Sequence, residues 1–243
     1  MLKISFKNDK FLGPALLAAA DKEKAAGLSR FFKTGPGQYG EGDIFLGLTV
    51  PATRSLLRRY QDANLALVEE LLASPYHEAR LLGLLLIVRR YERAGSEKER
   101  AALVKFYLAH RGAANNWDLV DLSVYKVWGD YLRRHPEKRQ SLYRFARSQN
   151  LWERRLAVVA TMALIKAGEF KEILELSRLL LKDKEDLIQK AVGWMLREVG
   201  KRDEPVLRAF LDEYAGRLPR VTLRYALERL PEKDRQKYLR SAA

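Results

Sequence analysis

Apolar residues recur at helical spacing along most of the chain after Pro51, and short polar breaks separate the successive runs. The runs over residues 81–88 and 156–165 are apolar on nearly every side, which is typical of helices that neighbouring helices cover on both faces. No run shows the alternation expected of a strand. The breaks contain Pro, Gly, Asn or Asp, as at Ser74-Pro75, Ala94-Gly95, Asn115-Asn116, His135-Pro136, Ala167-Gly168 and Leu218-Pro219. The pattern predicts an all-α fold.

Three of the predicted helices begin with a cation that is followed by a small or apolar run. Aligning Arg80, Arg155 and Lys190 gives separations of 75 and 35 residues, and the first spans two periods if a helix near Trp117 lies between them. A period of roughly 35 to 38 residues is typical of helix-pair repeats. We therefore expect a right-handed α-solenoid of HEAT-like repeats, with equivalent helices lining a concave face.

Residues 1–50 differ from the repeats in residues 51–243, although we expect one domain over residues 1–243. The pattern predicts a helix over residues 14–32 and then a Gly-rich loop over residues 34–43. This loop lacks the Lys-Ser/Thr ending of a phosphate-binding loop and follows no strand. We interpret it as an ordered connector.

The net charge narrows the class of partner. The 243 residues include 45 Lys and Arg against 31 Asp and Glu, a formal net charge of +14. Such an excess favours a polyanion and predicts a basic concave face. Charge alone leaves DNA, RNA, an anionic membrane surface and an acidic protein as alternatives.

Several classes of chemistry find no support in the sequence. Cysteine is absent, which excludes disulfides and thiolate sites, and the three histidines His77, His110 and His135 lack metal-ligand spacing. We therefore expect no metal and no cofactor. Residues 1–10 do not resemble a signal peptide, and no run of about 18 apolar residues could cross a membrane. We expect a monomer in the cytoplasm, associated with the nucleoid.

The helix predicted from Asp186 has an aromatic residue within a basic stripe. Ile188, Ala191, Val192, Met195 and Val199 lie on one side of the helix, and Lys190, Trp194, Arg197 and Lys201 lie on the other. Trp194 is then expected to point away from the core. An aromatic ring among cations is typical of nucleic-acid sites, where cations meet phosphates and the ring meets a sugar or base.

Trp117 and Asp121 are i,i+4 neighbours and share one face of a predicted helix, with Trp128 near the same stripe. Capping by Asn115 or Asn116, with Asp118 favoured by the helix dipole, would explain the start of the helix but not Asp121. A carboxylate flanked by indoles is suited to bind a cation or to stabilise developing positive charge. Arg154 and Arg155, next to Trp152, are further candidate cations, and the repeat alignment favours Arg155.

At these residues the chain resembles the AlkD-like DNA alkylation repair glycosylases, a family of bacterial HEAT-repeat enzymes. The resemblance covers most of the chain. It rests on Phe45-Leu46-Gly47 followed by Pro51 and Arg54, on Trp117-Asp118 with Asp121, on Trp152 with Arg155, and on the segment from Ile188 to Glu198. The chain differs from some members at Asn116, where they have a second Trp, and in the 34–43 loop.

The resemblance implies hydrolytic excision of N3- and N7-alkylated purines from double-stranded DNA, without flipping of the base. It implies that Trp117, Asp121 and Trp194 line the catalytic cleft and that Arg155 contacts DNA. The basic stripe predicts further DNA contacts by Lys190, Arg197 and Lys201. Arg154, which precedes Arg155 in the sequence, is also a predicted DNA-binding residue.

Two other functions stay open on the residues alone. A non-catalytic protein that recognises DNA structure through phosphate contacts would need the same cations. A scaffold for an acidic protein would predict no selective DNA binding, and it would leave the stripe of Lys190, Trp194, Arg197 and Lys201 unexplained.

Overall fold

The computed structural model describes residues 14–241, which fold into helices joined by turns and loops. Within this range the extended backbone pairing is limited to one isolated parallel bridge between Ile44 and Tyr76. The prediction of an all-α fold is therefore confirmed. None of the helices in residues 14–241 combines the length and apolar character needed to cross a membrane. Residues 1–10, for which the sequence predicts no signal peptide, lie outside the described range.

The chain divides into two compact units, the first ending at Ser123 and the second beginning at Val124. The expectation of one domain over residues 1–243 stays a prediction. The helices up to the boundary are α1 (Pro14–Ala18), α2 (Lys22–Phe31), α3 (Val50–Leu56), α4 (Leu65–Leu72), α5 (His77–Arg93), α6 (Glu97–Ala109) and α7 (Trp117–Val124).

The predicted helix over residues 14–32 is wrong in one respect, because the chain forms α1 and α2 instead. Asp21 adopts an extended backbone between them, with φ −132° and ψ 108°. Its carboxylate accepts hydrogen bonds from the backbone amides of Glu23 and Lys24, each at 3.1 Å. The N-cap thus starts a new helix where the apolar pattern alone continues.

The second unit opens with a π-helical segment, Tyr125–Gly129. Its helices are α8 (Asp130–Arg134), α9 (Gln140–Ala146), α10 (Leu151–Ala160), α11 (Met162–Lys166), α12 (Lys171–Leu179), α13 (Asp186–Arg202), α14 (Glu204–Tyr214), α15 (Arg220–Leu227) and α16 (Glu232–Ser241). Helix α13 is central, since it packs against α10, α14 and α15. Its predicted apolar side, which includes Ile188 and Met195, is buried.

Repetition of the fold is visible in the turns that precede α5, α10 and α13. In each turn a side-chain oxygen of Ser or Asp accepts a hydrogen bond from the backbone amide two residues later. This is the pattern of the ST-turn and the Asx-turn. The three pairs are Ser74 with Tyr76 at 3.1 Å, Ser148 with Asn150 at 3.1 Å, and Asp183 with Glu185 at 2.9 Å.

A second hydrogen bond completes each of these turns. The side chains of Arg80, Arg154 and Gln189 donate to the carbonyl oxygen of the turn residue six positions earlier, at 2.9, 3.0 and 2.9 Å. The prediction of repeated helical units is confirmed, but the alignment of Arg80 with Arg155 and Lys190 is wrong by one residue. The equivalent positions of the repeats are those that make the same hydrogen bond, and the charge of a side chain alone does not identify them.

Gly47 allows the segment after the connector to lie directly against the start of α2. Its φ is +95°, and a Cβ atom there would lie 2.0 Å from the carbonyl oxygen of Asp21. The amide of Asp21 donates to the carbonyl of Leu46 at 2.8 Å, which holds the two segments together. A side chain at position 47 therefore cannot be accommodated without moving backbone.

We expect Gly47→Ala to lower the free energy of unfolding by about 3 kcal/mol or more, because backbone strain adds to the steric clash. Gly37→Ala is the matched control, since Gly37 has a φ of +71° but open space around a Cβ atom. It should cost only about 1 to 2 kcal/mol. Urea unfolding of both variants measures the difference, and equal losses would contradict the role given to the close approach.

Candidate active site in the first unit

An aromatic cavity of about 350 Å³ lies in the first unit. Its lining includes the rings of Phe31, Phe32, Phe45 and Trp117, and apolar side chains form most of the remaining wall. Four ionisable side chains also line it: His77, Glu78, Asp118 and Asp121. The cavity thus combines flat apolar faces with carboxylates, a combination suited to a planar cationic group.

Helix α7 brings Trp117 and Asp121 to this cavity. They are four residues apart, so one turn of helix places both on the same side. The indole of Trp117 stacks on Phe32 with ring centroids 5.2 Å apart, and Phe31 meets it edge-on at 6.0 Å. Phe31 is 62% exposed, so one aromatic wall of the cavity faces solvent. The predicted pairing of Trp117 with Asp121 on one face is confirmed.

A network of buried charges lies beside the aromatic rings, and its centre is His77. The His77 side chain is 2% exposed. Its Nδ1 lies 3.1 Å from Asp43 Oδ2 and its Nε2 lies 2.9 Å from Asp118 Oδ2. Arg80 donates to Asp43 Oδ1 at 2.5 Å. Two carboxylates therefore hold one imidazole, and a guanidinium balances part of their charge.

Sequence reasoning missed this network because its members lie 34 and 41 residues apart. Asp118 was expected to serve the helix dipole, whereas in the structure its carboxylate also binds His77. The usable signal is the apolar run of α5 over residues 81–88, which begins one helical turn after His77. A helix covered on all sides buries its first turn too, and a buried histidine needs hydrogen-bond partners.

Asp43 ties the Gly-rich connector to the start of α7. Its carboxylate accepts hydrogen bonds from the side-chain amides of Asn115 at 3.1 Å and Asn116 at 3.2 Å. The side-chain oxygen Oδ1 of Asn116 accepts in turn from the backbone amide of Trp117 at 2.8 Å. The connector is therefore an ordered element, as the sequence suggested, and it anchors the helix that carries the candidate site.

The pKa values of the network follow from its geometry. Burial alone would lower the pKa of His77, but the hydrogen bonds and negative charges of Asp118 and Asp43 outweigh it and raise this pKa to about 9. Burial likewise would raise the pKa of Asp43, but the contacts with His77, Arg80 and Asn116 lower it. His77 is thus an imidazolium between two carboxylates at neutral pH.

The raised pKa of His77 predicts a pH-dependent stability. In the unfolded chain this pKa returns to 6.5, so the stabilisation is complete below about pH 6.5 and is lost as the pH rises through about 9. The loss amounts to about 3 kcal/mol. Asp43 acts in the opposite direction: its stabilisation is present above about pH 3.8 and is lost as the pH falls.

Urea unfolding between pH 6 and pH 10 measures this loss in the parent protein and in His77→Gln. We expect the parent's free energy of unfolding to fall with rising pH over this interval and that of the variant to fall much less. Parallel pH profiles for the two proteins would contradict the assignment to His77.

Glu78, the neighbour of His77, organises the segment that forms another wall of the cavity. Its carboxylate accepts three hydrogen bonds, from the backbone amides of Leu46 at 2.9 Å, Gly47 at 2.8 Å and Leu48 at 3.0 Å. All three bonds are buried. The first turn of α5 therefore holds both the charge network and the Phe45-Leu46-Gly47 segment in place.

The other predicted catalytic residue, Trp194, lies on α13 in the second unit and is half-buried. The three cations of its stripe are engaged in ion pairs within that unit. Lys190 pairs with Asp186 at 2.7 Å, Lys201 pairs with Glu198 at 2.7 Å, and Arg197 pairs with Glu228. The sequence stripe identified the cations but not these carboxylates, one of which, Glu228, directly follows α15.

The remaining candidates of the second unit also make internal contacts. Arg155 is 5% exposed and donates to the backbone carbonyl of Leu187. Arg154 donates to Asp183 Oδ2 at 2.7 Å. Trp128 is 2% exposed and packs against Phe145, with ring centroids 4.8 Å apart, so it is a core residue of the second unit. Its predicted place near the Trp117 stripe stays a prediction.

Among residues 14–241 no cluster of three or more His, Asp or Glu side chains has the arrangement of a metal site. His77 contacts two carboxylates, but Arg80 occupies the other side of Asp43.

Comparison with known proteins places this geometry in a family. A family model described as DNA alkylation repair enzyme matches residues 13–230. A solved structure described as a predicted DNA alkylation repair enzyme from Enterococcus faecalis has the same fold, with a TM-score of 0.67 at 20% identity. That match covers 88% of this chain and 97% of the other. No curated protein matches the sequence. Since the family model spans most of the chain, the protein belongs to the DNA alkylation repair enzyme family.

Proposed function

We propose that the protein is a monofunctional DNA glycosylase that excises cationic N3- and N7-alkylated purines from duplex DNA by hydrolysis. We further propose that it does so without flipping the base. The observation that carries the proposal is the joint presence of Trp117 and Asp121 at one aromatic cavity. Family membership supports a role in alkylation repair.

The proposed chemistry needs a carboxylate near the deoxyribose and no acid to protonate the leaving base. An N7-alkylated guanine already carries a positive charge, so the bond between C1′ and N9 can break with its electron pair moving to N9. The base leaves neutral, and the positive charge develops on the deoxyribose. Asp121 stabilises this charge and accepts a proton from the water that adds at C1′, which leaves an abasic site.

The aromatic rings supply the binding part of the proposal. Cation–π attraction requires the charged group to lie over a ring face, and Trp provides the strongest of these interactions. Trp117 is held by stacking on Phe32 and contacts Phe31 edge-on, so its ring is already oriented before DNA arrives. Such preorganisation reduces the entropy that binding costs.

The second unit contributes through residues that the family resemblance suggests. We propose that Trp194 contacts the lesion and that Arg155, Lys190, Arg197, Lys201 and Arg154 contribute to DNA binding. Lys190, Arg197 and Lys201 would exchange their present carboxylate partners for phosphates, which predicts a smaller gain in affinity per cation than free cations would give.

The direct experiment measures release of free 7-methylguanine from a duplex that carries one such lesion, with unmodified guanine as the comparison. Release of the methylated base with an abasic site left in an intact strand supports the proposal. Salt-sensitive DNA binding without release would instead favour a non-catalytic protein that recognises DNA structure.

A further inference from the structure

We propose that Asp43, His77 and Asp118 are positioning residues that hold α7 so that Trp117 and Asp121 reach the cavity. The three residues come from different parts of the first unit: the connector, the start of α5 and the first turn of α7. They meet through the two buried hydrogen bonds of His77. For its activity readout the inference rests on the glycosylase proposal.

The first link from His77 to the site runs through the backbone of α7. Asp118 directly follows Trp117 and lies three residues before Asp121, so all three belong to the first turns of one rigid helix. Holding the Asp118 carboxylate at 2.9 Å from His77 Nε2 therefore limits the position of both site residues.

The second link runs through aromatic rings. The imidazole of His77 stacks on Phe45 at 4.5 Å and lies 5.1 Å from Phe32, and Phe32 stacks on Trp117 at 5.2 Å. A change at His77 thus reaches Trp117 both along the helix and through the rings. The catalytic proposal does not use His77, yet this side chain touches both supports of the site.

The third link is Asp43, which fixes the same helix end from the connector. It holds His77 on one oxygen and Arg80 on the other, and it accepts from Asn115 and Asn116 just before α7. Reactions that depend on an oriented group lose about 100-fold in rate when that group is displaced by about 1 Å. The network is therefore placed to control rate rather than DNA affinity.

The test compares His77→Gln and Asp43→Asn with Glu172→Gln. Glu172 is a matched control because it is a buried carboxylate, bound to Arg139 at 3.1 Å, in the second unit. Below the unfolding temperature of every variant, single-turnover release of 7-methylguanine should fall about 10- to 100-fold in the first two and less than about threefold in the control. The dissociation constant for DNA should stay within about threefold in all of them.

A second measurement needs no activity. Acrylamide quenching of Trp117, taken as the difference between each protein and its Trp117→Phe counterpart, should increase in His77→Gln and Asp43→Asn but not in Glu172→Gln. Unchanged quenching, or rates in both variants equal to the control, would overturn the inference. If the parent releases no methylated base, the glycosylase proposal fails, and the quenching result alone then decides whether the network positions Trp117.

Discussion

Asp121→Asn is expected to lower single-turnover release of 7-methylguanine by at least about 100-fold, the usual loss when one preorganised electrostatic group is removed from a reacting centre. The substitution preserves the shape of the side chain, and Asp121 lines the cavity rather than the core. Affinity for DNA should stay within about threefold, because the loss of one negative charge does not weaken binding to a polyanion.

Asp62→Asn is the matched control for that substitution, since Asp62 is an exposed aspartate of the same unit outside the cavity lining. Its rate should equal that of the parent. A rate for Asp121→Asn within about threefold of the parent, with a lesion duplex bound at full occupancy, would remove Asp121 from the mechanism and favour a site elsewhere.

Glu78→Ala is expected to cause the largest loss of stability, about 4 kcal/mol or more in free energy of unfolding. Its carboxylate accepts buried hydrogen bonds from three backbone amides, and each amide left without a partner costs about 1 to 3 kcal/mol. For a chain of this length the midpoint of thermal unfolding should fall by roughly 10 °C. Circular dichroism during heating measures this midpoint.

Two comparison variants separate the hydrogen bonds from the charge. Glu78→Gln keeps an acceptor oxygen for Gly47 and Leu48 but turns a donor toward Leu46, so its loss should be intermediate. Glu70→Ala removes an exposed carboxylate from α4 and should change the free energy by less than about 0.5 kcal/mol. Equal losses in Glu78→Ala and Glu70→Ala would contradict the role given to the three buried hydrogen bonds of Glu78.

The spacing of apolar and polar residues predicted where helices begin and which residues share a helix face, because both depend on residues close together in the chain. Helix α13 begins at Asp186 as expected, and Trp117 and Asp121 share a face because four residues make about one helical turn. The break between α1 and α2 was not predicted, because the N-cap residue Asp21 does not disturb the helical spacing of the apolar residues around it. The repeat register was missed because it depends on which side chain reaches back to a carbonyl, and Arg154 and Arg155 look alike in sequence.

The charge network could not be predicted from spacing, because its hydrogen bonds join residues far apart in the chain. His77 has no neighbouring ligand in sequence, and Asp43 lies in a loop that its composition marks only as a turn. Similarly, the ion pair of Arg197 with Glu228 joins α13 to the end of α15, two segments that sequence reasoning treated separately. Partners brought together by tertiary packing require coordinates, whereas helical faces do not.

The turns before α5, α10 and α13, each taken with the first turn of the helix that follows, contain both ends of these hydrogen bonds. A segment that carries such a turn can therefore begin its helix without any residue supplied by the rest of the protein. Duplication of one segment would copy the helix start intact, and later divergence could exchange Arg for Gln, or Ser for Asp, without losing it. An ancestral chain could in this way gain length one helix pair at a time, with every intermediate retaining correctly started helices.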